Sequence, residues 1–161
     1  MVSSVELPDI IISIASIQHL DDAVRCWHSL VVDQKNHDNR ISSEALSESE
    51  KRQFLRSVIL DGRLIIALDS TRLVGIATIA IDNNMLDNSQ SVWNISDVWI
   101  DVDYRRKGIG IQLVNECEIQ AKSKGASEIR LQVYSTNQPA SMMYGRLGYR
   151  TISRMMAKKL D

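Results

Sequence analysis

The chain has 161 residues, of which 44% are hydrophobic and 24% charged, and its formal net charge is −1. These values are typical of one soluble globular domain and exclude a disordered, collagen-like or membrane-embedded chain. The near-zero charge provides no broad field for nucleic acid or an acidic membrane, so we expect neither as a partner.

The N-terminal residues predict a single domain over residues 1–161 without a targeting segment. Glu6 and Asp9 interrupt the stretch that a signal peptide would keep apolar. No apolar run approaches the roughly 18 residues that a membrane-spanning helix needs. We therefore expect an intracellular, cytoplasmic protein.

The cysteines and histidines lack the spacing of metal or redox motifs. Cys26 and Cys117 fall on predicted apolar helix faces outside any CxxC motif, which favours reduced core residues. His19, His28 and His37 have neither HExxH nor Cys/His zinc spacing. The sequence therefore predicts no metal site.

The first third of the chain predicts a strand followed by two helices. An apolar run at residues 10–15 is typical of a strand, and residues 20–32 place apolar side chains on one helical face. Ser47 and Glu50 have capping-box spacing before a second helical pattern. That helix is expected to end near Gly62.

Strands predominate in the middle of the chain. Two β-rich runs, 63–69 and 72–81, flank a short polar turn, which is typical of an antiparallel hairpin. A loop is expected at residues 82–90. A further strand is expected at residues 92–101, and it leads directly into a basic, glycine-containing turn.

The last third predicts helices alternating with strands. A helix is expected over residues 109–124, and apolar alternation at residues 129–133 predicts a half-buried strand. Asn137 is placed to cap a helix over residues 138–147, with a final strand after Gly148. The order of elements predicts a mixed α/β sheet with helices packed on it.

Residues 105–110, with the sequence RRKGIG, lie between a predicted strand and a predicted helix. Unpaired N–H groups and the macrodipole favour an anion at a helix start, and glycines let the backbone approach it closely. A basic turn before a helix is common, however, and does not by itself establish a binding site. Neither a Walker A loop nor a dinucleotide fingerprint fits, since the latter needs glycine at Leu113.

The same residues resemble the phosphate loop of the GNAT superfamily of N-acetyltransferases: Arg or Gln, two residues, Gly, one residue, then Gly or Ala. Residues 98–104 resemble the family's approach strand, with Val102 in place of a frequent proline. Residues 137–149 resemble its second motif, N-x-x-A-x-x-x-Y-x-x-x-G-F, with Tyr149 replacing phenylalanine. On these two motifs, within residues 92–149, the chain is identified as a member.

The resemblance implies an α/β fold of the α+β kind, with a mixed, mostly antiparallel central sheet flanked by helices. It implies acetyl-coenzyme A as the acetyl donor, with its diphosphate on the backbone N–H groups of residues 106–111. Ile100 and Val102 would flank the pantetheine arm, and the backbone of Ile100 would donate to the thioester carbonyl. The full set of implied cofactor-binding residues is Val98, Ile100, Val102, Arg105, Arg106, Lys107, Gly108, Ile109, Gly110, Ile111, Asn137 and Tyr144.

Tyr144 is the implied catalytic residue, because it matches the tyrosine that protonates the departing thiolate in many members. A phenol with a reference pKa of about 10 stays protonated at neutral pH, whereas a thiol has a pKa of about 8.5. The alternative is a core role, since Ala140, Met143 and Leu147 share its helical face.

The general base is not identified by the sequence. Asp97 and Ser96 lie on the strand beside the expected acetyl site, but a bulge there would leave their direction undetermined. Glu116 and Glu118 are interpreted as solvated helix residues.

The implied function is N-acetyl transfer to an amine of a small molecule, peptide or protein, by direct attack in a ternary complex. A noncatalytic acyl-coenzyme A sensor or interaction module is the alternative, while three adjacent cations give poor support to nucleic-acid binding. Residues 131–134 read LQVY where ribosomal-protein acetyltransferases often carry LEVR, which disfavours a protein acceptor. The acceptor, the acyl-chain preference and the oligomeric state are not determined, and a homodimer is left open.

Acidic residues near the N-terminal helices leave two interpretations open. They could suit a cationic acceptor, or they could simply be a solvated face. The residues concerned are Asp33, Asp38, Glu44, Glu48 and Glu50.

Overall fold

A five-stranded sheet lies between two layers of helices in the computed structural model, which describes residues 9–83 and 91–160. The strands are β1 (Ile10–Ile14), β2 (Leu64–Asp69), β3 (Arg72–Ile81), β4 (Val92–Ile100) and β5 (Glu128–Leu131). The helices are α1 (Leu20–Gln34), α2 (Glu48–Leu60), α3 (Ile109–Ser123) and α4 (Gln138–Arg146). Most of the expected loop at residues 82–90 lies outside the described residues.

The strands follow one another across the sheet in chain order. Strands β1 to β4 pair antiparallel, whereas β5 pairs parallel with β4. A parallel pair needs a long crossover connection, and α3 supplies it. This arrangement confirms the mixed, mostly antiparallel sheet expected from the sequence.

The sheet has a separate apolar core on each face. Because successive side chains alternate across a strand, Leu64 and Ile66 pack with α1 and α2, while Ile65 and Ala67 pack with α3. Strand β2 is therefore apolar from Leu64 to Leu68, as burial on both faces requires. Helix α4 packs on the α3 side through its apolar face.

Two predicted helix caps are confirmed. The backbone N–H of Glu50 donates to Ser47 Oγ at 3.2 Å, and the backbone N–H of Ser47 donates to Glu50 Oε2 at 2.7 Å. The N–H of Ala140 donates to Asn137 Oδ1 at 3.3 Å. Both caps arise from local sequence, since each pairs residues three positions apart.

A β-bulge interrupts the pairing of β3 with β4. Ile76 pairs with Trp99 but Thr78 pairs with Ser96, so β4 carries one extra residue in this interval. Within it, Asp97 has a φ of +49°. This is the left-handed region, which a residue with a Cβ seldom adopts.

Two predictions at the C-terminal end are wrong. Strand β5 ends at Leu131 rather than at residue 133, because β5 diverges from β4 after that residue and leaves no ladder partner. Residues 149–160 form no strand, although one was expected after Gly148. Their exposed apolar side chains, Ile152, Met155 and Met156, do not alternate with the period of two that a half-buried strand needs.

Gly75 lets α3 approach β3 closely. A Cβ at this position would lie 3.1 Å from Leu113 Cδ1 and 3.2 Å from the carbonyl oxygen of Trp99. We predict that Gly75→Ala lowers the free energy of unfolding by about 1–3 kcal/mol, because overpacking displaces backbone as well as side chain. Urea denaturation measures the change.

The matched control is Gly145→Ala in α4, where an added Cβ would meet no described residue within 4 Å. Alanine has the higher helix propensity, so this substitution should be neutral or stabilising. An equal loss of stability in the two variants would contradict the packing argument.

Candidate functional site

A gap opens within the sheet where β4 and β5 separate. Their pairing runs from Val92 and Glu128 to Ile95 and Leu131, and stops there. Further along β4, the N–H of Asp101 donates to Val74 O of β3 at 2.9 Å. Peptide groups alternate in direction along a strand, so those of Ile100, and of Val98 two residues earlier, point away from β3 into this gap.

The chain beyond β4 forms a turn whose backbone leads into α3. Arg106 and Gly108 both adopt left-handed conformations, with φ of +65° and +81°. Gly108 is the N-cap of α3 and contributes no side-chain acceptor. The first N–H groups of α3 therefore have no side-chain cap, which is the arrangement that binds anions at helix starts.

Gly110 lies where α3, β4 and α4 meet. A Cβ there would lie 3.0 Å from Met143 Sδ and 3.1 Å from Ile100 Cδ1. Because Gly110 has no side chain, the start of α3 packs closely against both β4 and α4. The backbone N–H groups of the turn fit an extended ligand with a phosphate, whose chain would lie along β4.

Arg105 joins the turn to the end of β4 and to α1. Its Nε donates to Ile100 O at 2.8 Å, and its terminal nitrogen donates to Asp33 Oδ2 at 2.6 Å. Trp99 Nε1 donates to the same carboxylate oxygen at 3.0 Å. Asp33 lies in the last turn of α1, where the macrodipole disfavours a carboxylate, so these two donors offset that cost.

The other two cations of the turn differ from each other. Lys107 Nζ donates to Asp103 O at 2.8 Å and lies 5.2 Å from the centre of the Tyr104 ring. Arg106 is exposed and makes no hydrogen bond or ion pair with any residue in the described ranges. Of the three, Arg106 is the cation that remains available to an anion.

Tyr144 of α4 lies on the α3 side of the sheet, in the same core cluster that Val98 and Ile100 of β4 pack against. The ring is buried in the α3-side core and meets Tyr149 edge-on, with ring centres 5.8 Å apart. Burial, with a smaller contribution from Cys117, raises the pKa of Tyr144 to about 12. Its hydroxyl makes no hydrogen bond to any described residue, so its donor is unused.

The segment after α1 contacts the segment that joins β5 to α4. His37 Nδ1 lies 2.8 Å from Thr136 Oγ1, and the His37 ring stacks on Tyr134 with centres 5.7 Å apart. This contact links the α1 side of the molecule to the β5 side of the gap. No sequence pattern indicates this contact, because the two residues are 99 positions apart.

Three of the five acidic residues noted near the N-terminal helices are engaged within the protein. Asp33 binds Arg105, Asp38 pairs with Arg40 at 2.7 Å, and Glu50 caps α2. These carboxylates have partners already, so the group does not present a continuous acidic surface. Glu44 and Glu48 are exposed.

The structure settles the direction of Asp97, which the sequence left open. Thr78 Oγ1 donates to its carboxylate at 2.9 Å from β3. Burial raises the pKa of Asp97, and interactions with Thr78 and with the indole of Trp27 lower it in part. Trp27 belongs to α1, so the carboxylate lies on the face of the sheet covered by α1 and α2.

The cysteines are buried and unpaired, as predicted. Burial raises the pKa of Cys26 to about 11 and that of Cys117 to about 12, so both are protonated at neutral pH. Within residues 9–83 and 91–160, His, Cys, Asp and Glu side chains nowhere form a group of three that could hold a metal ion. No helix in the same ranges has the length and apolarity to cross a membrane.

Comparisons with known proteins identify similar sequences and a similar fold. Residues 27–149 match the model of the acetyltransferase (GNAT) family. An uncharacterized N-acetyltransferase of Methanocaldococcus jannaschii is 34% identical over 73 residues, covering 44% of this chain and 32% of that protein. A glucosamine 6-phosphate N-acetyltransferase of Trypanosoma brucei brucei is 34% identical over 86 residues, covering 53% of this chain and 56% of that protein.

The match therefore spans between about a third and just over half of the length of these curated relatives. Among solved structures, an aminoglycoside N-acetyltransferase in complex with coenzyme A superimposes with a TM-score of 0.71. It is 16% identical, and the alignment covers 94% of each chain. At this identity the likeness establishes the fold.

Proposed function

Because the chain belongs to the acetyltransferase (GNAT) family, we propose that it transfers the acetyl group of acetyl-coenzyme A to an amine in the cytoplasm. The observation that carries this proposal is the position of the uncapped start of α3. It packs against β4, because a Cβ on Gly110 would lie 3.1 Å from Ile100 Cδ1. The start of α3 suits the diphosphate of coenzyme A. The peptide groups of β4 suit its pantetheine arm and the thioester at the end of that arm.

The proposed donor site follows from these backbone groups. N–H groups of residues 106–111 hold the diphosphate, assisted by the free cation of Arg106. Val98, Ile100 and Val102 flank the pantetheine arm, and N–H groups facing the gap stabilise the oxyanion of the thioester carbonyl. Bound acetyl-coenzyme A supplies an activated acyl group with a thiolate as leaving group.

Tyr144 and Asn137 are proposed to serve the protonation of the departing thiolate. Tyr144 donates its hydroxyl proton to the departing sulfur. Burial raises the pKa of Tyr144 to about 12, so the hydroxyl is protonated at neutral pH. Asn137 fixes the start of α4 and so the position of Tyr144 along the gap. The amine attacks directly, without a covalent enzyme intermediate.

The acceptor is proposed to be a small amine or a peptide amine. The name of the trypanosomal relative makes glucosamine 6-phosphate one probe, and spermidine and an N-terminal peptide represent two other classes. The test is amine-dependent release of free coenzyme A thiol with each of the three. A protein that binds coenzyme A but releases no thiol with any acceptor would be the noncatalytic sensor instead.

The contact between Asp33 and Arg105 predicts a modest effect on donor binding. We expect Asp33→Asn to raise the KM for acetyl-coenzyme A by up to about fivefold, since exposed ion pairs contribute about 0.2–1 kcal/mol. The kcat should change little, because neither residue touches the reacting atoms.

The control is Asp38→Asn, which removes a comparable ion pair with Arg40 at a distance from the turn. Steady-state kinetics compare the two variants. An equal increase in KM for both would show that Asp33 does not act through the turn.

The proposal also includes a homodimer and no binding of nucleic acid. Residues 149–160 belong to no strand and expose Ile152, Met155 and Met156, which a second copy of the chain would cover. Light scattering of the purified protein gives its mass in solution. Tight, strongly salt-dependent binding to RNA or DNA would contradict the second expectation.

A further inference from the structure

The turn that leads into α3 contains a strained residue. Arg106 has a φ of +65°, in the left-handed region that a residue with a Cβ seldom adopts. A conformation of this kind persists only where the surrounding structure holds it. The Arg106 side chain makes no hydrogen bond or ion pair with residues 9–83 or 91–160, so its chain neighbours must supply the restraint.

Tyr104, two residues before Arg106, is anchored to the β2–β3 hairpin. Its hydroxyl donates to Asp69 Oδ2 at 2.6 Å, a length typical of a hydrogen bond strengthened by the charge of its acceptor. Asp69 ends β2 and pairs with Arg72 at the start of β3. The hydrogen bond to Asp69 raises the pKa of Tyr104, so the phenol remains the donor at neutral pH.

Two cations lie against the Tyr104 ring, one from the hairpin and one from the turn. The Arg72 guanidinium carbon lies 5.5 Å from the ring centre, and Lys107 Nζ lies 5.2 Å from it. A cation is attracted to an aromatic face within about 6 Å of the ring centre. Because Lys107 follows Arg106 directly, the Tyr104 ring contacts the chain on the far side of the strained residue.

Asp101 completes the network between the hairpin and the turn. Its Oδ2 accepts from the Arg72 guanidinium at 2.8 Å, and its Oδ1 accepts from the N–H of Asp103 at 3.1 Å. Its backbone carbonyl accepts from the N–H of Tyr104 at 2.9 Å. The chain between Asp101 and Tyr104 is therefore fixed to the hairpin through backbone and side chains together.

These contacts contribute less to overall stability than to the shape of the turn. The Arg72 side chain is 60% exposed, and exposed ion pairs stabilise a fold only slightly. We propose that Tyr104, held by Asp69, is a positioning residue that keeps the turn in its diphosphate-binding conformation before coenzyme A arrives; this rests on the donor site proposed above. A turn that is already ordered loses less conformational freedom on binding, so the ligand binds more tightly.

The experiment is a calorimetric titration of Tyr104→Phe with coenzyme A and with pantetheine, which lacks the diphosphate. Phenylalanine keeps the ring for both cations and removes only the bond to Asp69. We expect the affinity for coenzyme A to fall about tenfold and the affinity for pantetheine to stay unchanged. The preference for coenzyme A over pantetheine should therefore fall by the same factor.

The matched control is Tyr149→Phe, which removes another hydrogen bond from a tyrosine to a carboxylate, that of Glu118 at 2.8 Å. Thermal unfolding should show a similar loss of stability in both variants, whereas the preference for coenzyme A should change only in Tyr104→Phe. An equal change of preference in the two variants would show a general structural effect and would overturn the role of Tyr104.

Substitutions of Asp69 test whether Tyr104 acts through this carboxylate. Asp69→Ala removes the acceptor and should reduce the preference as Tyr104→Phe does, whereas Asp69→Asn keeps an acceptor oxygen and should retain most of it. The double variant Asp69→Ala with Tyr104→Phe should lose no more than either single variant, because each removes the same bond. Additive losses would contradict the proposal, since the two residues would then act separately.

The wild-type protein distinguishes failure of this inference from failure of the proposed function. If it prefers coenzyme A to pantetheine and the variants of Tyr104 and Asp69 keep that preference, the turn holds its shape without the anchor and only this inference fails. If the wild-type protein binds no coenzyme A, the proposed donor site is refuted, and the positioning role of Tyr104 is refuted with it.

Discussion

Tyr144→Phe is expected to lower kcat by about 100-fold or more, with little change in the affinity for coenzyme A. The loss follows from general acid catalysis, since phenylalanine cannot supply the proton that the departing thiolate needs. The fold should tolerate the change, because the ring stays in its core position and the hydroxyl makes no hydrogen bond to a described residue. Single-turnover kinetics and calorimetry measure the two quantities separately.

Tyr149→Phe is the matched control. The Tyr149 hydroxyl donates to Glu118 Oε1 at 2.8 Å, so its removal costs a structural hydrogen bond. This variant should lose some stability and keep its kcat. If Tyr144→Phe kept the wild-type rate constant for chemistry, Tyr144 would be a core residue only.

Gly110→Val is expected to weaken binding of coenzyme A by roughly 5-fold to 150-fold. A Cβ alone would lie 3.0 Å from Met143 Sδ and 3.1 Å from Ile100 Cδ1, and valine adds two more carbons. Such overpacking shifts the start of α3 away from β4 and moves the N–H groups that hold the diphosphate. Bringing these groups back to the ligand restores the overpacking, which costs about 1–3 kcal/mol on binding.

The same substitution at Gly145 of α4 is the control, since no atom of residues 9–83 or 91–160 lies within 4 Å of an added Cβ there. Calorimetric titration with coenzyme A compares the variants after thermal unfolding has shown that each is folded. Equal affinities for Gly110→Val and the wild type would contradict the close approach of α3 to the ligand.

Features with a local physical cause were predictable from the sequence. The cap of α2 depends on hydrogen bonds between Ser47 and Glu50, and the β2–β3 hairpin depends on two adjacent runs of apolar residues. The glycine turn before α3 is also local, whereas the close approach of its two glycines to a diphosphate stays a prediction. Gly108 has a positive φ, and Gly110 permits close packing.

Features that depend on distant residues were not predictable. Arg105 binds Asp33 across 72 residues, and no pattern in either segment indicates the pair. The direction of Asp97 depends on where the β3–β4 bulge falls, which hydrophobic alternation does not determine. The final strand was expected because a strand would complete the order of elements, yet residues 149–160 lack the alternation that fixes a strand on a sheet.

The most direct test of the account is a calorimetric titration of the wild-type protein with coenzyme A and, separately, with pantetheine, which lacks the diphosphate. If the turn before α3 holds the diphosphate through main-chain N–H groups, coenzyme A should bind saturably and pantetheine at least about tenfold more weakly. No heat with coenzyme A, or equal affinity for the two compounds, would contradict it.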